Sequence, residues 1–259
     1  MTNNTLNVAL VQTTLAWENP KANRTHIEDK VSSITADLIV LPEMFSSGFT
    51  MNASEVAETM DGETITWLKA LSKSKNAAIV GSLVIKENEN YYNRLVFVEP
   101  NGTLTPYDKR HTFTLAGEHK VYTAGTEKII IDYKGFKICP LVCYDLRFPV
   151  WARNSEDYDL LIYVANWPKV RIAAWDTLLK ARAIENMSYC IGVNRVGLDG
   201  NNYEYSGHSA AYDVLGNRMD SILESTETIE VVTLEKSHIT KYRERLGFLK
   251  DRDTFSLKV

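Results

Sequence analysis

Lys137-Ile-Cys-Pro-Leu-Val-Cys-Tyr-Asp-Leu-Arg147 runs an apolar, strand-like segment up to a thiol, and charged residues follow at once. Buried strands of α/β proteins read as near-continuous apolar runs, and ligands gather just beyond their carboxyl ends. Cys143 therefore stands where a nucleophile belongs. Asp37-Leu-Ile-Val-Leu-Pro-Glu43 repeats the pattern and delivers a carboxylate. Pro106-Tyr-Asp-Lys-Arg-His111 follows a third strand-like stretch and supplies a lysine. Glu43, Lys109 and Cys143 are a candidate base, cation and nucleophile.

Working outward, strand and helix patterns alternate with short turns along the whole chain, which is the signature of an α/β protein. Leu6 to Gln12, Leu38 to Leu41, Ala78 to Ile85, Tyr91 to Glu99 and Ile129 to Tyr133 read as strands. So do Phe136 to Val142, Leu160 to Val164, Tyr189 to Asn194, Ser209 to Asp213 and Thr228 to Leu234. Lys21 to Ile34, Glu63 to Lys75, Trp151 to Ser155, Ile172 to Asn186 and Lys236 to Arg245 read as helices. Asn101-Gly102, Lys134-Gly135 and Asp199-Gly200 supply turn chemistry. No repeat, low-complexity tract or linker interrupts residues 1–259, so one domain is expected. The strands suffice for two sheets packed face to face, while periodicity alone leaves an ordinary doubly wound sheet equally open.

Composition narrows the function classes. At 259 residues, 44% hydrophobic and a net charge of -4, the chain can bury a substantial core. Its positive charges are scattered, without the basic stripe that tracks a phosphate backbone or the polybasic cluster that meets an anionic membrane. Met1-Thr-Asn-Asn-Thr-Leu6 shows neither a positive n-region nor an apolar h-region, and no run is long enough to cross a bilayer. A soluble, cytoplasmic protein is expected. Three cysteines cannot all pair within the chain, and Cys139 and Cys143 lack CxxC spacing. His111, His119 and His208 could meet a cysteine only after folding, so no metal and no cofactor are assigned.

The motifs together resemble the nitrilase or carbon-nitrogen hydrolase superfamily, and within it most resemble the bacterial omega-amidase branch. The likeness is carried by Leu41-Pro-Glu-Met-Phe-Ser-Ser-Gly-Phe49, Tyr107-Asp-Lys-Arg-His111, Ala116-Gly-Glu-His119 and Val142-Cys-Tyr-Asp-Leu-Arg-Phe-Pro149. It extends through Tyr163-Val-Ala-Asn-Trp-Pro168 and Ala181-Arg-Ala-Ile-Glu-Asn186. The resemblance implies a four-layer α-β-β-α sandwich, a Glu43-Lys109-Cys143 triad, and a second glutamate, Glu118, that orients Lys109 or the substrate nitrogen. It also implies a homodimer paired through helices near the active-site half.

Amide hydrolysis explains why those residue types would work together. A thiol is nucleophilic mainly as thiolate, so a base and a cation beside Cys143 are expected to make and hold that state near neutral pH. Each residue also has a plainer reading. Glu43 could cap a helix beginning at Met44, Lys109 could be a solvated charge, and Cys139 and Cys190 are read as small apolar filler. Arg147 and then Arg171 are candidates for gripping a substrate carboxylate in a bidentate fork, with a structural ion pair as the alternative. Trp167, Phe45 and Tyr144 are candidate pocket walls, although aromatics near strand ends are often core. Arg182 and Glu185 are read as structural.

The leading expectation is hydrolysis of the terminal amide of a short dicarboxylate, such as 2-oxoglutaramate or 2-oxosuccinamate, to the acid and ammonia. The runner-up is a carbamoyl-amine or N-carbamoyl-amino-acid hydrolase. A competing class is a catalytically silent scaffold, against which an intact triad speaks.

Overall fold

The computed structural model describes residues 4–258; Met1, Thr2 and Asn3, part of the stretch read for a leader, lie outside the described residues. In chain order the first half forms β1 (Thr5–Gln12), α1 (Pro20–Val31), β2 (Leu38–Val40), α2 (Ala53–Val56), α3 (Glu63–Lys75), β3 (Ala78–Glu87), β4 (Asn90–Val98) and β5 (Leu104–Asp108). Next come β6 (Ile131–Tyr133), β7 (Phe136–Val142), α4 (Pro149–Ala152), β8 (Leu160–Ala165), α5 (Ile172–Asn186) and β9 (Tyr189–Asn194). The chain ends with β10 (Val196–Leu198), β11 (Glu204–Ser206), β12 (Ala210–Tyr212), β13 (Thr228–Glu235) and α6 (Lys236–Leu246).

Two sheets dominate, ordered β13-β1-β2-β3-β4-β5 and β12-β9-β8-β7-β6, with β10 and β11 as a separate ladder. Each has a parallel centre, β1-β2-β3 in one and β7-β8-β9 in the other, flanked by antiparallel strands. Side chains alternate across a strand, and that alternation sorts the first sheet into two cores. Val8, Leu10, Val40, Val80 and Phe97 face the second sheet, in one cluster with Ile138, Leu160 and Ile191. Ala9, Val11, Ile39, Ile79 and Val96 turn the other way, onto Ile27 and Val31 of α1 and Ile65 and Leu68 of α3. Trp175, Leu179 and Ala183 of α5 and Ile239 of α6 join the core of the second sheet. The result is the four-layer α-β-β-α sandwich.

Helix ends follow local chemistry. Pro20 opens α1 behind an Asn19 side chain that accepts the Ala22 N–H, and Asn76 closes α3 in the left-handed region. Gly192 of β9 lets α5 approach: a Cβ there would lie 2.5 Å from Leu179 Cδ1 and 2.6 Å from Trp175 Cζ2. Gly192→Ala should therefore destabilise the fold by about 1–3 kcal/mol, the usual cost of overpacking. Urea unfolding monitored by tryptophan emission would show it, and an unchanged midpoint would mean that α5 is not held at this distance.

The expected elements are present with end shifts of a few residues, and four short ones are additions. Leu104–Asp108 is an edge strand, with Pro106 where a missing N–H does least harm. β10, β11 and α2 have only three or four residues each and leave no periodic trace.

Candidate active site

The carboxyl ends of strands from both sheets meet at one place. Glu43 follows β2 by a short turn, Lys109 follows β5, Cys143 follows β7 and Asn166 follows β8. Glu43 caps no helix, since Glu43 to Ser47 form a turn. Cys143 sits at φ 44°, where strand β7 breaks into a short 3-10 helix, Cys143–Arg147. A non-glycine residue held in this region costs energy, and such strain collects at functional sites. The sharp turn presents the sulfur to a cavity, and the Tyr144 N–H in the first turn of the helix has no partner within it.

Beneath the sulfur lies a buried ionic cluster. Lys109 Nζ donates to Glu43 Oε1 at 2.8 Å and to Glu118 Oε2 and Oε1 at 2.8 and 3.0 Å. Lys109 is 1% exposed and both glutamates are 0% exposed, so Lys109 is no solvated surface charge. Asn93 Nδ2 bridges the two carboxylates, at 2.8 Å to Glu43 and 3.1 Å to Glu118. The Asn166 N–H donates to Glu43 Oε2 at 2.8 Å, and the Asn166 side-chain amide also donates to the Glu43 carbonyl. The Phe113 N–H donates to Glu118.

These neighbours set the protonation states. Burial works against the Lys109 charge, but Glu118 and Glu43 outweigh it and hold the ammonium protonated. Burial and then the Glu43 charge push Glu118 up, against the pull of Lys109. Every hydrogen-bond neighbour of Glu118 is nevertheless a donor, an arrangement only the ionised carboxylate satisfies. Burial and then Glu43 also push the Cys143 thiol well above its usual range, and Lys109 offsets them only in part. Burial and the Glu43 charge thus favour the thiol form of Cys143, whose Sγ faces the Asn166 carbonyl at 4.0 Å. Proton removal belongs to the step of attack.

The cavity above Cys143 measures about 550 Å³. Lys109, Tyr144, Arg147, Trp167 and Arg171 line it, as the sequence suggested. The Arg147 guanidinium lies 4.9 Å from the Trp167 ring and that of Arg171 lies 5.1 Å from Phe113. Neither arginine forms an ion pair among the described residues, so the structural ion pair considered for Arg147 is absent.

Phe45 is a correction. It is 0% exposed and belongs to the core beneath α3, tilted against Trp67 at 6.1 Å, with Gly81 leaving room for its ring. The turn after Glu43 drives it inward instead of toward the cavity. Arg182 is structural as read: it pairs with Glu185 at 2.9 Å and donates to the Leu146 carbonyl at 2.7 Å. Cys139 and Cys190 are 0% exposed, and burial pushes the Cys139 thiol up to about 12. His111 faces Asp145 and His208 faces Asp176, and no metal-holding group of His, Cys, Asp or Glu occurs among the described residues.

Sequence reasoning gave no role to Asn93, Asn166, Trp17 or Tyr205. The last two also line the cavity, where Tyr205 donates to Asp199 at 2.9 Å. Asn166 follows an apolar strand run as Cys143 does, and that position was its available signal.

Known proteins share this architecture. The chain is 45% identical to the omega-amidase YafV of Yersinia enterocolitica, over 98% of this chain and 99% of that protein. It is 35% identical to the 2-oxoglutaramate amidase of Bacillus subtilis, over 77% of this chain and 78% of that one. A crystal structure of a CN-hydrolase superfamily protein from Xanthomonas campestris, with an arsenic adduct in its active site, superposes with a TM-score of 0.96 at 41% identity. That match covers 98% of this chain and 99% of the other. The carbon-nitrogen hydrolase profile matches residues 7–244, and the chain belongs to the carbon-nitrogen hydrolase family.

Proposed function

We propose that this chain is an amidohydrolase that cleaves the terminal amide of a short omega-amide dicarboxylate, 2-oxoglutaramate or 2-oxosuccinamate, releasing ammonia and the acid. The observation that carries the reading is a buried Glu43-Lys109-Glu118 cluster under Cys143, in a cavity whose rim presents two guanidinium groups without acidic partners. The curated relatives with omega-amidase and 2-oxoglutaramate amidase activities support the substrate class.

In this mechanism the amide carbonyl carbon is attacked by Cys143 Sγ as Glu43 takes the thiol proton. Charge builds on the carbonyl oxygen, and the Lys109 ammonium with the Tyr144 N–H stabilises it. Protonated Glu43 passes its proton to the nitrogen, the C–N bond breaks, ammonia leaves and a thioester remains. Water, deprotonated by Glu43, attacks the thioester; the acid departs and the sulfur regains its proton. Glu118 keeps Lys109 in place through two hydrogen bonds and takes no proton. No cofactor enters the sequence of steps. We place the activity in one domain, residues 1–259, of a cytoplasmic homodimer; Val150 of α4 and Ile184 of α5 are apolar and exposed on its surface.

At the far end of the substrate, Arg147 and Arg171 grip the second carboxylate, with Trp167, Phe113 and Tyr144 holding the planar groups in orientation. Arg147→Lys and Arg171→Lys keep the charge and lose the fork. At the arginine that binds, the ratio of kcat/KM for 2-oxoglutaramate to that for a neutral short amide should fall by about tenfold to a hundredfold, the worth of a charge-assisted hydrogen bond. Ammonia release gives the rates. An unchanged ratio in both variants places carboxylate recognition elsewhere, and carbon dioxide accompanying the ammonia from a carbamoyl substrate points to the carbamoyl-amine class.

A further inference from the structure

Asp145 has no part in the chemistry above, yet it is 0% exposed two residues beyond the nucleophile. Its oxygens accept four hydrogen bonds. Oδ1 takes the His111 N–H at 2.9 Å and His111 Nδ1 at 2.7 Å; Oδ2 takes the Tyr107 hydroxyl at 2.7 Å and the Val142 N–H at 3.0 Å. Tyr107 and His111 stand two residues either side of Lys109, and Val142 immediately precedes Cys143. One carboxylate therefore ties the segment carrying the cation to the segment carrying the nucleophile. Those segments leave different sheets, β5 in one and β7 in the other, and no backbone ladder joins them.

The attachments are stiff. Trp151 Nε1 donates to the Tyr107 hydroxyl at 3.1 Å, and the His111 ring stacks on Phe148 with centroids 3.6 Å apart. Burial and then the Asp145 charge hold the Tyr107 phenol protonated, so it remains a donor. Four donors converge on four lone-pair directions, which a carboxylate satisfies and an amide does not. A carboxylate buried this deeply is costly unless its partners are all in place.

We infer that Asp145 is a positioning residue that fixes Lys109 against the Cys143 sulfur by clamping Tyr107 and His111 to the strand end at Val142. The inference rests on the reading of Cys143 and Lys109 as nucleophile and cation. Misplacing a reacting group by about 1 Å can cost about a hundredfold in rate, and once the clamp opens the β7 end that carries Cys143 is free to shift against Lys109, which Glu43 and Glu118 hold in place.

The experiment uses the full chain with Asp145→Asn, His111→Ala and His111→Asn, and reads three quantities in each: kcat and KM for the omega-amide, the pH dependence of Cys143 alkylation by iodoacetamide, and thermal stability. Asp145→Asn is expected to lose about a hundredfold in kcat with KM nearly unchanged. The alkylation profile should move to higher pH, because the sulfur is then less well placed against the ammonium that offsets Glu43 and Glu118; Tyr144, Arg147, Arg171 and Tyr205 are further titratable groups lining the cavity. His111→Asn offers an amide donor in place of Nδ1–H and should recover most of what His111→Ala loses. A lowered melting temperature with unchanged kcat per folded molecule and an unchanged alkylation profile would make Asp145 merely structural and overturn the inference. If Asp145→Asn does not fold, the partly exposed His111 pair decides alone, since equal activity in its two variants is also fatal. A wild type not alkylated at Cys143 would instead bring down the underlying reading.

Discussion

Cys143→Ala is expected to lower turnover of 2-oxoglutaramate by about four orders of magnitude or more while the protein remains folded. Nothing else near the cavity can form the thioester. Among the three cysteines, only Cys143, 8% exposed, reaches the cavity; Cys139 and Cys190 are sealed in the core. The ionic cluster beneath does not depend on the sulfur, because Lys109, Glu43, Glu118 and Asn93 bond to one another. Far-ultraviolet circular dichroism should therefore match the wild type. Since burial and Glu43 keep the resting thiol protonated, iodoacetamide labelling of the wild type should accelerate as pH rises above neutrality and should map to Cys143 first. More than about 1% residual activity in the folded variant, or first labelling at Cys139 or Cys190, would remove Cys143 from the nucleophile's place.

The site was legible where local pattern and position coincide. An apolar run that stops at a reactive group is visible in one dimension, which is why Cys143 and Glu43 stand out. Lys109 was visible only as the lysine after a third strand-like stretch, since its own strand contains Pro106 and a proline demotes a strand reading. Asn93 lies inside β4 and Asp145 inside a 3-10 turn, and their functions depend on partners about 25 to 50 residues away in sequence. Phe45 shows the converse failure. It follows the catalytic-looking glutamate by two residues, but the left-handed Met44 at φ 43° reverses the chain and sends the ring into the core. The stacking of the two sheets was likewise hidden: a continuous apolar run states that a strand has two covered faces, not which layer covers each.

Glu43→Gln should separate the two chemical properties of Cys143. The side chain keeps its shape, but the base is gone, and kcat should fall by about a hundredfold to ten-thousandfold. Folding should suffer less. Lys109 and Asn93 donate to one oxygen of Glu43 and the Asn166 N–H to the other, so an amide meets at least one donor with a donor whichever way it turns, and only one when its NH2 faces Asn166. That mismatch costs about 1–3 kcal/mol, while Lys109 retains both bonds to Glu118. The effect on the sulfur has the opposite sign. Burial and then the Glu43 charge favour the protonated thiol, and Lys109 opposes them. Removing the carboxylate and leaving the ammonium should lower the pH at which Cys143 ionises, so the variant should be alkylated faster near neutral pH while hydrolysing its substrate more slowly. General disorder in the cavity would depress both rates together. Parallel measurement of kcat and of the iodoacetamide rate constant in wild type and Glu43→Gln decides the matter: a variant slower in both has lost geometry, and one that keeps normal turnover shows that the proton goes to another base.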